Sequence, residues 1–437
     1  MKPSQKNATV FMSLLLASIA SAATLPAEDN RIHNGVASCA GSTCHGSVRQ
    51  FEGSNILHNE FITWTREDRH AKAYQTLLSK ESKRIAQKLG IGAPHTEALC
   101  LDCHADNVPA KLRGQKFQIS DGVGCESCHG GSEKWLNSHV KQTDHRQNIK
   151  NGLYPTEEPH ARSDLCLSCH YGNNNKFVTH RIMGAGHPRL SFELDNFTEL
   201  MPPHHQVDAD YKKRKTHVDS AQVWVAGQLA FVERILQQLE HRGLEKEGLF
   251  PELSLFDCHS CHHPMSKIRW SARDSTGLGP GVIRLYDANF IMLQALPFSD
   301  QERQTVREMT RNLHQSTTQG LAAFRQAIDA YQQALPALKQ SLSNKTFSDA
   351  QLKTILANLI QAGVDGEFRD YAAAEQAVMA IASLLSTLDT RSTFAPKIQQ
   401  AVGKRLDELY ACVDDDEKYN PACFTDGLKR LKTTVAD

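Results

Sequence analysis

Ten of the twelve cysteines in this 437-residue chain fall in five pairs, and a histidine follows each pair directly. In the first run, Cys39–Cys44–His45, four residues separate the thiols. Two residues separate them in Cys100–Cys103–His104, Cys125–Cys128–His129, Cys166–Cys169–His170 and Cys258–Cys261–His262. Two thiols followed by an imidazole form the attachment signature of c-type haem: the thiols make thioethers to the porphyrin vinyl groups and the imidazole ligates the iron. Histidine is 21 of 437 residues, so its place after all five pairs has a chance probability on the order of 10^-7. Structural zinc needs four ligands per ion and gives no reason for a histidine behind every second cysteine. A disulfide framework leaves the histidines unexplained as well. The expectation is a pentahaem c-type cytochrome. Its five haem c groups would be covalently bound, with His45, His104, His129, His170 and His262 as proximal iron ligands.

This spacing limits the fold. The motifs lie within residues 39–262, about 45 residues per haem, too little chain for a side-chain core around each porphyrin. The porphyrins must supply most of that interior, wrapped by short helices and loops, and haem is then needed for folding. Glycines 114, 122, 124, 130 and 131 and the run Asn173-Asn174-Asn175 mark loops. A short helix is expected at Thr76–Leu89. A longer one is expected at Asp219–Arg242, where Val225, Leu229, Val232, Leu236 and Leu239 form a stripe suited to covering haem faces. After about residue 280 the pattern changes to long amphipathic helices. Ser299/Glu302 and Ser348/Gln351 read as capping boxes, and further helices are expected at Phe368–Leu388, Ala395–Cys412 and Phe424–Val435. The fold class is therefore mainly α: a haem-packed core of short helices and loops, plus a C-terminal helical bundle. The expected divisions are 1–22 signal peptide, 23–279 pentahaem domain and 280–437 helical domain.

The N-terminus reads as a cleaved export signal, with Lys2 and Lys6, an apolar stretch from Val10 to Ile19, then Ala20-Ser21-Ala22. That stretch, like Ala377–Leu388, is too short to span a bilayer, so no transmembrane segment is expected in the mature chain. The expected location is the periplasm. There Cys412 and Cys423, outside any haem motif, would pair as a disulfide. Basic and acidic residues balance at 49 each, which argues against a nucleic-acid or membrane-surface partner. Two propionates per haem would add acidic docking patches. The expected partners are other periplasmic or membrane-bound redox proteins, with the C-terminal helices as a candidate oligomer interface.

The runs Trp64-Thr-Arg-Glu-Asp-Arg-His70-Ala-Lys-Ala73 and Gly122-Val-Gly-Cys125-Glu-Ser-Cys128-His129-Gly130, followed by His139, resemble the cytochrome c-554 family over about residues 36–170. That family is mainly helical, with haems in closely stacked pairs that pass electrons along the protein. The resemblance puts His70 and His139 at distal iron-ligand positions and implies an open face on the second-motif iron. This chain departs from the pattern in its wider first motif, its fifth motif and its long C-terminus, so the family's partner enzyme does not carry over.

Among the remaining histidines, His180 and His187 flank a run of small residues after the fourth motif. His205 and its neighbour His204 follow Met201-Pro-Pro. These complete the distal candidates, with His58, His95 and His217 weaker and Met183 a sulfur alternative. The function expected is electron transfer between redox partners. The alternative is a reductase or oxidase acting on a small nitrogen or sulfur compound at a five-coordinate haem. No C-x-x-C-K motif supports that alternative.

Overall fold

A computed structural model describes residues 23–436, except 53–55, 142–143, 215–216, 244–251, 264–272, 274 and 344. The expected signal peptide lies outside the described residues. Among them the chain is helical throughout, with isolated bridges in place of a sheet. Ten short α-helices come first: α1 (Glu60–Glu67), α2 (Ala73–Thr76), α3 (Lys80–Leu89), α4 (Ala98–His104), α5 (Cys125–His129), α6 (His145–Lys150), α7 (Pro159–His170), α8 (His180–Ala185), α9 (Leu194–Leu200) and α10 (Ala209–Arg214). Then follow α11 (Ser220–Gly243), α12 (Ala288–Ala295), α13 (Asp300–Ser316), α14 (Leu321–Leu342), α15 (Asp349–Val364), α16 (Tyr371–Thr390), α17 (Pro396–Cys412) and α18 (Pro421–Ala436).

The helix expected at Thr76–Leu89 starts later. Leu77 and Leu78 form a turn, and the Ser79 hydroxyl accepts from Ser82 N–H to start α3. Both expected capping boxes are formed, at Ser299/Glu302 for α13 and Ser348/Gln351 for α15. Cys412 and Cys423 are joined, with their Cα atoms 5.9 Å apart. The disulfide staples α17 to α18.

α11 follows its expected span, but its burial runs around the whole helix rather than along one stripe. Trp224, Gln228, Val232 and Leu236 are all sealed from solvent. It packs on α7, which carries the fourth motif, and on α9, α12, α14 and α16. Only its first turn, at Ser220 and Val223, reaches the motif-lined cavity described below. Its side chains join one continuous apolar core with Phe290, Tyr331, Leu359 and Leu384. α16 is longer than the apolar segment read from the sequence. Its 20 residues are long and apolar enough to cross a membrane by length and composition, yet 78% of its apolar window is buried inside the protein. It is the central helix of the bundle.

The fifth motif is fastened to this bundle by buried charges. The Asp257 carboxylate caps the turn that holds Cys258 and pairs with Arg284 at 2.6 Å. Arg284 and Arg273 both reach Asp370, at 3.5 and 3.0 Å, and Asp370 caps the N-terminus of α16. Arg273 also pairs with Asp287, which lies 3.2 Å from the His314 ring. Such a network, once desolvated, resists the removal of any one member.

Candidate haem sites

The first four motifs surround one cavity of about 3170 Å³. Its lining includes both thiols and the histidine of each: Cys39, Cys44 and His45; Cys100, Cys103 and His104; Cys125, Cys128 and His129; Cys166, Cys169 and His170. A site for one small ligand or cofactor occupies roughly 300–1,000 Å³, so this space suits several large groups. The fifth-motif residues Cys258, Cys261 and His262 stand apart from it. All ten motif cysteines are free thiols. Among the described residues no three or more His, Cys, Asp or Glu side chains converge as a metal polyhedron, which is not the arrangement of a zinc ribbon.

The histidines carry the decisive geometry. An imidazole–metal bond is about 2 Å and a ring nitrogen lies about 1.1 Å from its centroid, so two imidazoles on one iron have centroids about 6.3 Å apart. His45 and His139 are 6.2 Å apart, His70 and His170 6.1 Å, His104 and His187 6.4 Å, and His180 and His262 6.2 Å. Each of these four contacts joins one motif histidine to one histidine outside the motifs. The ring planes differ: 10° for His45/His139 and 30° for His180/His262, against 90° for His70/His170 and 83° for His104/His187.

Five of the eight facing rings are oriented by the far nitrogen. Nδ1 of His104, His139 and His187 donates to the carbonyls of Ala73, Trp135 and Pro188 at 3.1, 3.1 and 2.8 Å. Nδ1 of His45 donates to Glu60 and that of His70 to Asp68, both at 2.9 Å. The hydrogen bond to Glu60 raises the His45 imidazole against the burial that lowers it, and Asp68 does the same for His70. Burial pushes the Asp68 carboxyl up, but the His70 contact outweighs it and holds the group below its ordinary range. With Nδ1 so engaged, Nε2 is left to face a metal, the usual arrangement of a ligating histidine. These residues fit haem iron.

The two runs that carried the family resemblance pack on each other. The His70 carbonyl accepts from Val123 N–H at 3.1 Å, and Trp64 Nε1–H donates to the Val123 carbonyl at 3.2 Å. Gly122 has φ +77°, and a Cβ there would lie 2.8 Å from the His70 carbonyl oxygen. Only glycine lets the third motif approach the His70 turn this closely. Inside the third motif, the buried Glu126 carboxylate accepts from Asn34, Gly35 and Ser132 N–H groups.

Two placements differ from the sequence reading. The resemblance implied an open face on the second-motif iron, yet the His187 ring stands opposite His104. His205 is not brought to a motif histidine; it stacks on Tyr211 at 5.1 Å. Its neighbour His204 is the one near His129. Burial lowers the His129 imidazole to about 4, and of the surrounding charges His204 weighs on it most. His204 Nε2 lies 3.7 Å from Asp68. Proline and histidine order alone could not separate His204 from its neighbour. Glu60 and Asp68 were missed too, although a carboxylate two residues before His70 was a readable signal.

Residues 38–130 match the family model described as cytochrome c554 and c-prime. The match spans the first three motifs and implies covalently bound haem c, with its iron, and electron transfer for this chain. The last two motifs and the whole bundle lie outside it. No curated protein and no solved structure matches the chain.

Proposed function

We propose that the protein is a periplasmic pentahaem carrier that moves electrons between redox partners. The observation that carries this reading is the set of four histidine pairs at the span of one iron. Haem iron supplies one-electron chemistry when bound, and the residues around it set how easily each iron gives up its electron. Capping both faces with imidazole leaves no coordination position for a substrate, which suits transfer rather than bond-breaking.

Neighbouring thiols suggest how the sites connect. Hydrogen bonding to Cys125 lowers the Cys39 thiol, and the same contact raises Cys125. Cys103 and Cys169 form a second such pair. Cys128 is raised by burial and by nearby Cys166 and Cys169. His180 opens α8 and His187 follows two residues after its end, facing the fifth and second motifs respectively. The attachment points then run first, third, fourth, second, fifth. Motif pairs one–three and two–four are the close ones. Export is supported by the disulfide, which an oxidising compartment maintains.

The rival reading is reduction or oxidation of a small nitrogen or sulfur compound. It centres on the third motif, because the other four motif histidines each face a second imidazole at iron span and His129 is not among them. Mass spectrometry and electron paramagnetic resonance test both readings. The carrier reading requires five haems, with two low-spin signals of the strongly anisotropic kind given by crossed imidazole planes and two of the rhombic kind given by near-parallel planes. A high-spin haem that binds nitric oxide or nitrite would replace it with the rival. Fewer than five haems would refute the pentahaem assignment.

A further inference from the structure

The five motif histidines and their facing partners look alike in sequence, but their outer contacts divide them. At the second motif both rings, His104 and His187, donate Nδ1–H to backbone carbonyls. At the first motif, His139 does the same, while His45 donates to the Glu60 carboxylate at 2.9 Å. At the fourth motif, His70 donates to Asp68 at 2.9 Å, and His170 is stacked on Phe192 at 4.8 Å. A full negative charge on the far nitrogen gives the ring imidazolate character and makes it a stronger donor to iron. The same charge, held in a poorly solvated site, stabilises the extra positive charge of ferric over ferrous iron. Asp68 is almost wholly buried, with a side chain 5% exposed, and Glu60 is 17% exposed. Solvent screens neither fully.

We propose that Glu60 and Asp68 are positioning residues that set the reduction potentials of the first- and fourth-motif haems below that of the second-motif haem. The proposal rests on the bis-imidazole reading above. It gives the attachment series a direction: the carboxylate-backed sites hold electrons least firmly, and the carbonyl-backed second site, next to the fifth motif through α8, draws them onward. A charged residue can thus steer electron flow without touching a haem.

The test is a potentiometric titration of the holoprotein and of Glu60→Gln and Asp68→Asn variants, followed optically and by electron paramagnetic resonance so that single haems are resolved. Gln and Asn keep an oxygen that can accept from Nδ1 and remove only the charge. The expected result is an upward shift of one haem in Glu60→Gln, the near-parallel low-spin species. In Asp68→Asn a crossed-plane species shifts upward. Asp426→Asn, which removes an exposed carboxylate paired with Lys429 on α18, outside the motif-lined cavity, leaves every potential where it was. Unchanged or lowered potentials in both variants would overturn the proposal, as would equal shifts in Asp426→Asn. Should Asp68→Asn lose haem, Glu60→Gln decides alone, because Glu60 sits at the start of a surface helix. Haem count by mass on the wild-type holoprotein separates the two failures: a wrong count sinks the pentahaem reading, and unmoved potentials at the right count sink only this one.

Discussion

Residues 23–214 and residues 220–436 cover apolar surface in opposite ways. In the first region the one cluster of its own, Leu77, Leu101 and Ala105, is small and stands beside the large motif-lined cavity, while Leu167, Phe177, Phe192 and Leu194 join the core of the second. In the second, Trp224, Phe290, Tyr331, Leu359, Leu384 and Phe424 belong to one continuous core. The first region leaves its interior to a cofactor and spends its residues on ligands. The second fills its own interior with side chains and carries its one motif, Cys258–Cys261–His262, apart from the cavity. The expectation is that folding of the first part waits for haem and folding of the helical bundle does not.

That contrast is most easily broken with chain made in a host lacking the haem-attachment machinery. The expected outcome is complete digestion of the first four motifs by a non-specific protease, with a protected fragment that retains α11–α18. A full-length chain as resistant as the holoprotein would show that the cavity is held open by side chains alone, and the contrast would fail. The next largest effect is expected from Leu384→Ala, at a side chain with no solvent exposure in the centre of α16. Large-to-small changes at such sites cost about 2–5 kcal/mol. Far-UV circular dichroism should show a lower melting midpoint at unchanged Soret absorbance and unchanged haem count. Loss of haem from this variant would mean that the regions fold as one unit. Replacing Cys412 and Cys423 together with serine should cost roughly 2–3 kcal/mol by freeing the loop between them. Equal denaturant midpoints with and without the bridge would remove it from the account of the bundle's stability.

The two regions also differed in how much of them could be read beforehand. The motifs were legible because covalent attachment demands its residues side by side in the chain. The capping boxes at Ser299 and Ser348 were legible for the same reason, since a hydroxyl and a side chain three residues on satisfy local N–H groups. α11 was found by its period, but its all-round burial was not, because the helices that cover its outer side come from residues 288 onward. α14 carries Pro336 within its span, a residue that argues against a helix when read locally. Distal pairing was least legible. Which of His180, His187, His204 and His205 faces which motif depends on where α8 and the loop after α9 are packed, and no spacing rule encodes that. The resemblance supplied His70 and His139 because it includes chain outside the motifs; beyond residue 170 it had nothing to offer.

The finest effect is expected at the seam between the regions, where α9 lies against α11 and α16 while Asp195 lines the cavity. Burial, and next to it the neighbouring Glu193 carboxyl, raises Asp195 from 3.8 to about 7. Between those values the folded chain holds a proton that the unfolded chain has released. Stability therefore falls as pH rises from about 4 to about 7, and above that both states are ionised and the slope vanishes. Asp195→Asn cannot ionise, so it should match the wild type near pH 4 and exceed it at pH 8. Access from the cavity screens the charge, so a gain of about 1 kcal/mol is expected rather than the full value of the shift. Melting curves of the two holoproteins at pH 4, 6 and 8 measure it. A difference that stays constant across the series would mean that haem or water solvates this carboxylate fully. In that case the seam belongs to the cofactor-filled region rather than to the bundle.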